Sequence, residues 1–314
     1  MSTKSRLLIV LGVVIVAGIA LSLVRLGRPA AEVTVGSKHF TEQEVLGEML
    51  AALIECSSDI KVARKLNLGG TMICFNALKA GDLDLYAEYT GTGLVNILKR
   101  DVISDPDAAY QVVKQAFAED HEMVWLKPFG FNNTYTLTMR RDHAARLGIK
   151  SISDLAEYVQ PEGMRAAFDA EFLTRPDGYP GLSKHYGFEF ASEPMQMDPG
   201  LMYRAVADDA VDVIDGFATD GRIPAYDLLV LDDDKGFFPP YYAAPLVRAE
   251  TLREHPEIEE ILNRLAGNIS DDAMQRLNYE VDEEGRKAAE VAREFLISQG
   301  LLAGDASPGD AREQ

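Results

Sequence analysis

Apolar residues recur along this chain in two rhythms, and the rhythms alternate. Glu32–Gly36 reads as a strand, and Ser37-Lys38-His39-Phe40 as the loop that leaves it. Val45, Leu46, Met49, Leu50, Leu53 and Ile54 then form the stripe of a helix. Thr41 with Glu44 three residues on has the form of a capping box at its start. Ile60–Lys65 is a second strand. Gly69-Gly70 predicts a turn, Thr71 an N-cap, and Ile73, Phe75, Ala77, Leu78 and Ala80 a helix stopped by Gly81. Leu83 and Leu85 open a short strand whose carboxyl end carries Tyr89, Thr90 and Thr92, the end where ligands sit in open α/β sheets.

The alternation continues. Asp105–Glu119 is amphipathic, Val124–Phe129 is extended, and Asn132–Met139 alternates like a strand that crosses into a second lobe. Beyond it come a helix start at Asp154–Tyr158, a strand end at Arg165–Asp169 and a loop at Glu171–Gly178. The helix Gly200–Ala207 and the strands Val211–Phe217 and Asp227–Asp232 follow. A return crossing through Phe237–Pro245 precedes two helices, Asp271–Tyr279 and Glu283–Gln299, expected to pack on the first lobe. The pattern predicts an α/β protein of two lobes, residues 32–134 with 238–303 and residues 135–237, hinged at two crossings near Asn133 and Pro239. No internal repeat is visible in the sequence.

At 314 residues and 47% hydrophobic content, the chain can bury a substantial core. Its formal charge is −19; the first 31 residues contain Lys4, Arg6, Arg25 and Arg28 and no acid, so the rest is more acidic still. Such a surface serves solubility, repels nucleic acid and anionic lipid, and tolerates or attracts a small cation. Lys4 and Arg6 before the apolar run Leu7–Val24 have the order of an export signal, which places the rest outside the cytoplasm. The run also has the length of a membrane helix, so residues 1–31 are either a signal peptide or an uncleaved anchor. Residues 304–314 are polar and read as a disordered tail. Cys56 and Cys74, the only cysteines, lie on successive helices and are either disulfide-bonded or two buried thiols.

There is no Gly-rich phosphate loop, no nucleophile elbow, and no cysteine or histidine pair at metal spacing. The five histidines, His39 among them, read as scattered surface or loop residues, and the acidic run Asp232-Asp233-Asp234 as a solvated face. Catalysis, a metal and a cofactor are not expected. Aromatic residues at strand ends and crossings stand out instead: Tyr89, Tyr135, Phe217 and Tyr241. Singly, each could fill a core. Together in one cleft they would suit a quaternary ammonium ion, which has no N–H to donate and is held only by cation–π and dispersion contacts. A carboxylate on such a solute would need Lys38, Thr92 or Arg175, a forked guanidinium suiting two oxygens best. Asp220 and Arg222 could form a lobe-stabilising pair.

The segments VGSKHFTEQEVLG (35–47), KLNLGGTMICFNALKAGDLDLYAEYTGT (65–92), NTY (133–135), ATDGR (218–222) and GFFPPYYAAP (236–245) resemble the glycine betaine/choline/carnitine-binding proteins of osmoprotectant ABC importers. The resemblance covers nearly all of the chain beyond residue 32. It implies a type II periplasmic binding protein-like fold and a partner ABC permease in the membrane; the chain is expected to be monomeric. It also implies a ring cage at Tyr89, Tyr135, Phe217 and Tyr241, and carboxylate contacts at Lys38, Thr92 and Arg175. Two departures are visible. Phe217 stands where many relatives have Tyr, and Asn133 where some have an acid. A binding protein for another small solute and, more remotely, an enzyme acting on a bound amine are the alternatives.

Overall fold

The computed structural model describes residues 32–303; the proposed signal or anchor and the polar tail lie outside the described residues. Among the described residues, no helix is long and apolar enough to cross a membrane. The strands are β1 (Glu32–Gly36), β2 (Lys61–Lys65), β3 (Leu85–Tyr89), β4 (Met123–Trp125), β5 (Tyr135–Arg140), β6 (Ala166–Phe168), β7 (Met195–Gln196), β8 (Val213–Phe217), β9 (Leu228–Val230) and β10 (Ala243–Arg248). The helices begin with α1 (Thr41–Ser57), α2 (Thr71–Ala80), α3 (Pro106–His121), α4 (Arg141–Leu147), α5 (Ile152–Glu162), α6 (Tyr179–Tyr186) and α7 (Pro199–Ala207). They end with α8 (Arg222–Ala225), α9 (Ala249–Glu254), α10 (Glu257–Asn263), α11 (Asp271–Asp282) and α12 (Ala288–Ser298); a π-helical turn spans Thr92–Ile97.

Two five-stranded sheets result, in the orders β2-β1-β3-β10-β4 and β7-β6-β8-β5-β9. In each, three strands run parallel, and the strand arriving from the other lobe is inserted antiparallel beside the third. The two lobes thus share one topology although no sequence repeat announces it. Strand order follows from where apolar periodicity lets each crossover pack, and different residues can supply the same periodicity. The two crossings run side by side. Asn132 bridges Tyr242, the Asn133 N–H donates to the Tyr241 carbonyl at 3.1 Å, and the Tyr241 N–H donates to Asn132 Oδ1 at 2.7 Å. The closing helices α11 and α12 pack on α1, as the sequence pattern predicts.

β3 is buried along its whole length, because helices cover both faces. Leu85, Ala87 and Tyr89 join the core that holds the α1 stripe, whereas Tyr86 joins the one that holds Cys74, Phe75 and Leu78 of α2. The helices therefore lie on opposite faces of the sheet, and this corrects the disulfide expectation. Cys56 is exposed at the end of α1, Cys74 is buried in α2, and both are free. Two capping expectations also fail. Phe40 is the N-cap of α1 without a side-chain cap, because the Thr41 hydroxyl donates to Asp282 Oδ1 instead. Gly70, not Thr71, is the N-cap of α2. Asp233 departs from the solvated-face reading as well. Half-buried, it accepts from the Tyr186 hydroxyl and from the N–H groups of Phe237 and Phe238, fixing the turn that leads into the return crossing.

Candidate functional site

The carboxyl ends of β1, β3, β6 and β8 converge, and each releases a loop into the same place. β1 delivers Lys38, His39 and Phe40; β3 delivers Tyr89 and Thr92; β6 delivers Asp169, Glu171 and Arg175; β8 delivers Phe217. The first crossing adds Asn133 and Tyr135, and the second adds Tyr241. These residues, with Gly70, Thr71 and Pro199, line one hollow. All eight residues singled out in the sequence are on its wall, and except for half-buried Phe217 all are buried.

Five rings run along the wall of the hollow in unbroken contact. Phe40 stacks on Tyr89 (centroids 6.4 Å apart, 22°) and on Phe217 (5.4 Å, 8°); Tyr135 lies 5.4 Å from Phe217 and 5.6 Å from Tyr241, the latter edge-on. Phe40 was not singled out by sequence reasoning. Its signal was available, since it follows Lys38 and His39 in a loop at a strand end. It lies between Tyr89 of the first lobe and Phe217 of the second. The ring of Tyr241 fits only because residue 91 is glycine: a Cβ there would stand 2.7 Å from two of its ring carbons.

The polar end of the hollow is internally paired. Lys38 Nζ lies 2.6 Å from Glu88 Oε1, donates to the Thr71 hydroxyl, and stands over the Tyr89 ring 5.1 Å from its centroid. Arg175 binds both oxygens of Asp177 through Nε (2.8 Å) and Nη2 (2.5 Å), reaches Thr92 Oγ1 at 3.3 Å, and lies 5.3 Å from the Tyr135 centroid. Asp177 in turn accepts from the Tyr241 hydroxyl at 2.7 Å. Glu171 reaches from the second lobe to the start of α2, where it accepts from the Thr71 N–H and hydroxyl. This is an anion position at a helix N-terminus, and the glycine at 70 leaves room for the carboxylate. Burial works against the Glu171 charge, but Lys38, Arg175 and the Thr71 donors outweigh it and hold the carboxyl below its usual range.

Three further groups shape the site, and sequence reasoning missed them because their place on or behind its wall is set only by the tertiary fold. Glu42, the first acid after Phe40, is buried behind the rings and accepts from Tyr89 Oη, Asn133 Nδ2, Thr219 Oγ1 and Asn278 Nδ2. Burial pushes its carboxyl up and these four donors pull it back. Asp169 lines the hollow itself. His39, expected to be a surface or loop residue, is half-buried on the same wall, with an Nδ1 that lacks a hydrogen bond among the described residues. Beyond the ring wall, Arg222 pairs with Asp220 at 2.6 Å and approaches Asp282 of α11 at 3.6 Å, so this charge cluster also links the second lobe to a helix packed on the first.

Asp215 underlies the β6 loop. One oxygen accepts the Asp169 N–H at 2.8 Å, the other has no partner among the described residues, and burial with the nearby Asp169 charge pushes its carboxyl well up. A carboxyl raised in the folded state stabilises at acid pH, and that stabilisation is lost as pH rises from about 3.9 through the raised value. Asp215→Asn keeps the acceptor and cannot ionise. It is expected to melt with the parent near pH ~4 and above it at neutral pH, by about 2–4 °C per kcal/mol recovered. Thermal melts of the two proteins across that range check it.

Two α/β lobes joined by paired crossings, with a ring-lined hollow between them, define a substrate-binding protein of the two-lobed periplasmic type. The sequence matches, over residues 31–298, the family described as the substrate binding domain of ABC-type glycine betaine transport system, and the chain belongs to that family. It is 40% identical to the carnitine transport binding protein OpuCC of Listeria monocytogenes over 87% of this chain and 88% of that one. It is 38% identical to a glycine-betaine-binding protein of Pseudomonas aeruginosa over 87% and 89%. A solved structure described as a glycine betaine/carnitine/choline ABC transporter shares 39% identity, with a TM-score of 0.71, over 86% of this chain and 99% of that one. The fold and the transport role expected from the sequence agree with these findings.

Proposed function

We propose that this chain captures a compact quaternary ammonium solute of the glycine betaine, choline or carnitine type outside the cytoplasm, and presents it as a closed monomeric complex to an ABC permease. The observation that carries this reading is the chain of five rings drawn from both lobes and both crossings along the wall of one hollow. Each desolvated ring contributes about 1–2 kcal/mol toward a cation without N–H groups. Three or four of them, less the cost of ordering, suit binding near the micromolar range, ~8 kcal/mol. Closure would bury the solute between the lobes, and the permease would recognise the closed form.

Isothermal titration with glycine betaine, choline and carnitine tests this. No heat from any of the three, with a protein that melts cooperatively, would sink the ligand assignment. Phe217→Ala removes a half-buried wall ring and is expected to weaken binding about 5–30-fold, ~1–2 kcal/mol, with the melting temperature little changed. A second reading, another small solute in the same cleft, has one observation in its favour. An ergothioneine transport permease/ergothioneine binding protein of Helicobacter pylori is 39% identical over 85% of this chain, which spans 47% of it. That likeness is scarcely weaker than the one to the carnitine protein, so ergothioneine belongs in the same titration.

A further inference from the structure

Charge on the wall of the hollow is unevenly matched. The two cations there, Lys38 and Arg175, are paired with Glu88 and Asp177, which do not line the hollow, and two further carboxylates, Glu171 and Asp169, stand on the wall itself. Three of the four carboxylates are engaged. Glu88 holds Lys38, Asp177 takes the Arg175 fork, and Glu171 occupies the α2 N-terminus while also lying 3.4 Å from Arg175. Asp169 is only 6% exposed and has no ion pair among the described residues. Its Oδ2 accepts from the N–H groups of Glu171 and Phe172, and its Oδ1 takes no hydrogen bond from any described residue. It lines the same hollow as the rings of Tyr135 and Phe217.

We propose that Asp169 is the counter-charge for the solute's ammonium group, and that the cleft favours a monocationic quaternary ammonium alcohol, of the choline type, over a carboxylate-bearing zwitterion. The proposal rests on the quaternary ammonium reading above and narrows it. A zwitterion brings no net charge to offset Asp169, and its carboxylate meets donors that the protein's own carboxylates already use. To seat it, Glu171 would have to leave Thr71, or two carboxylates would share one helix terminus. A hydroxyl raises neither difficulty, because it can donate to a carboxylate oxygen. Burial and the nearby Glu171 charge push the Asp169 carboxyl up, against the Phe172 N–H and His39 on the same wall, which pull it back, so a cation seated there would favour its charged form.

The test compares choline with glycine betaine by calorimetric titration of the full chain, the Asp169→Asn variant and the Glu171→Gln variant. Choline is expected to bind the parent at least ~10-fold more tightly than glycine betaine. Asp169→Asn should weaken choline at least ~10-fold, and Glu171→Gln should narrow the choline-to-betaine ratio. Glycine betaine binding as tightly as choline or more tightly overturns the proposal and leaves the quaternary ammonium reading intact. A loss of less than ~2-fold for choline on Asp169→Asn also overturns it. Should that variant fail to fold, the parent's ligand ranking and the Glu171→Gln ratio still decide. Silence from both solutes overturns this proposal, and the broader reading falls with it only if carnitine is silent too.

Discussion

Replacing Arg175 by alanine is expected to cost about 3–5 kcal/mol of stability, because it strands a buried carboxylate, and to reduce solute binding below detection. Asp177 is 1% exposed and receives its charge-assisted bonds from the guanidinium. Without them it retains, among the described residues, only the Tyr241 hydroxyl, and an uncompensated buried charge that moves toward water would draw that ring out of the wall. The same guanidinium stands over Tyr135 and reaches Thr92 and Glu171, so its loss loosens groups from both lobes at once. Arg175→Lys should rescue little, since a point charge cannot satisfy both Asp177 oxygens and Thr92 together. Chemical denaturation and calorimetric titration of the three proteins check both effects.

Glu42→Ala is expected to be nearly as damaging, by about 3 kcal/mol or more, although Glu42 does not line the main hollow. Four donors converge on its two oxygens: Tyr89 on the ring wall, Asn133 at the crossing, Thr219 in the second lobe and Asn278 on α11. Alanine leaves all four with no acceptor there in a buried place, where each lost bond costs about 1–3 kcal/mol before relaxation. Part of the loss is offset, because a buried charge disappears with the carboxylate. Glu42→Gln keeps one acceptor oxygen and should lose roughly half as much. Weaker solute binding by both variants, measured beside their melts, would show the hub coupling ring wall to hinge; unchanged binding and stability in the alanine variant would refute it.

Rings that line the hollow could be picked out from the chain because a ring at the end of an apolar strand, or beside a proline at a crossing, has few local reasons to be there. Phe40 escaped notice because a phenylalanine just ahead of a helix looks like a packing residue until Tyr89 and Phe217 are found on either side of it. Lys38 and Arg175 could be located, but their partners Glu88 and Asp177 could not be weighed as such. An acid two residues from an arginine, or fifty from a lysine, carries no sign of whether the two meet. The capping box at Thr41 is the reverse case. The local motif is present, but a carboxylate from α11 offers the hydroxyl a better bond.

Periodicity and turn chemistry, which act over a few residues, were enough to dictate alternating strands and helices, two crossings and the strand-end positions of the aromatic side chains. Which sheet face each helix covers, and so whether Cys56 could meet Cys74, was settled by long-range packing. The same holds for the charge balance of the cleft. Whether a buried acid is paired, caps a helix or stands alone depends on groups from both lobes that become neighbours only once the lobes close together, and the Coulomb and hydration energies that decide it fall off within a few ångströms.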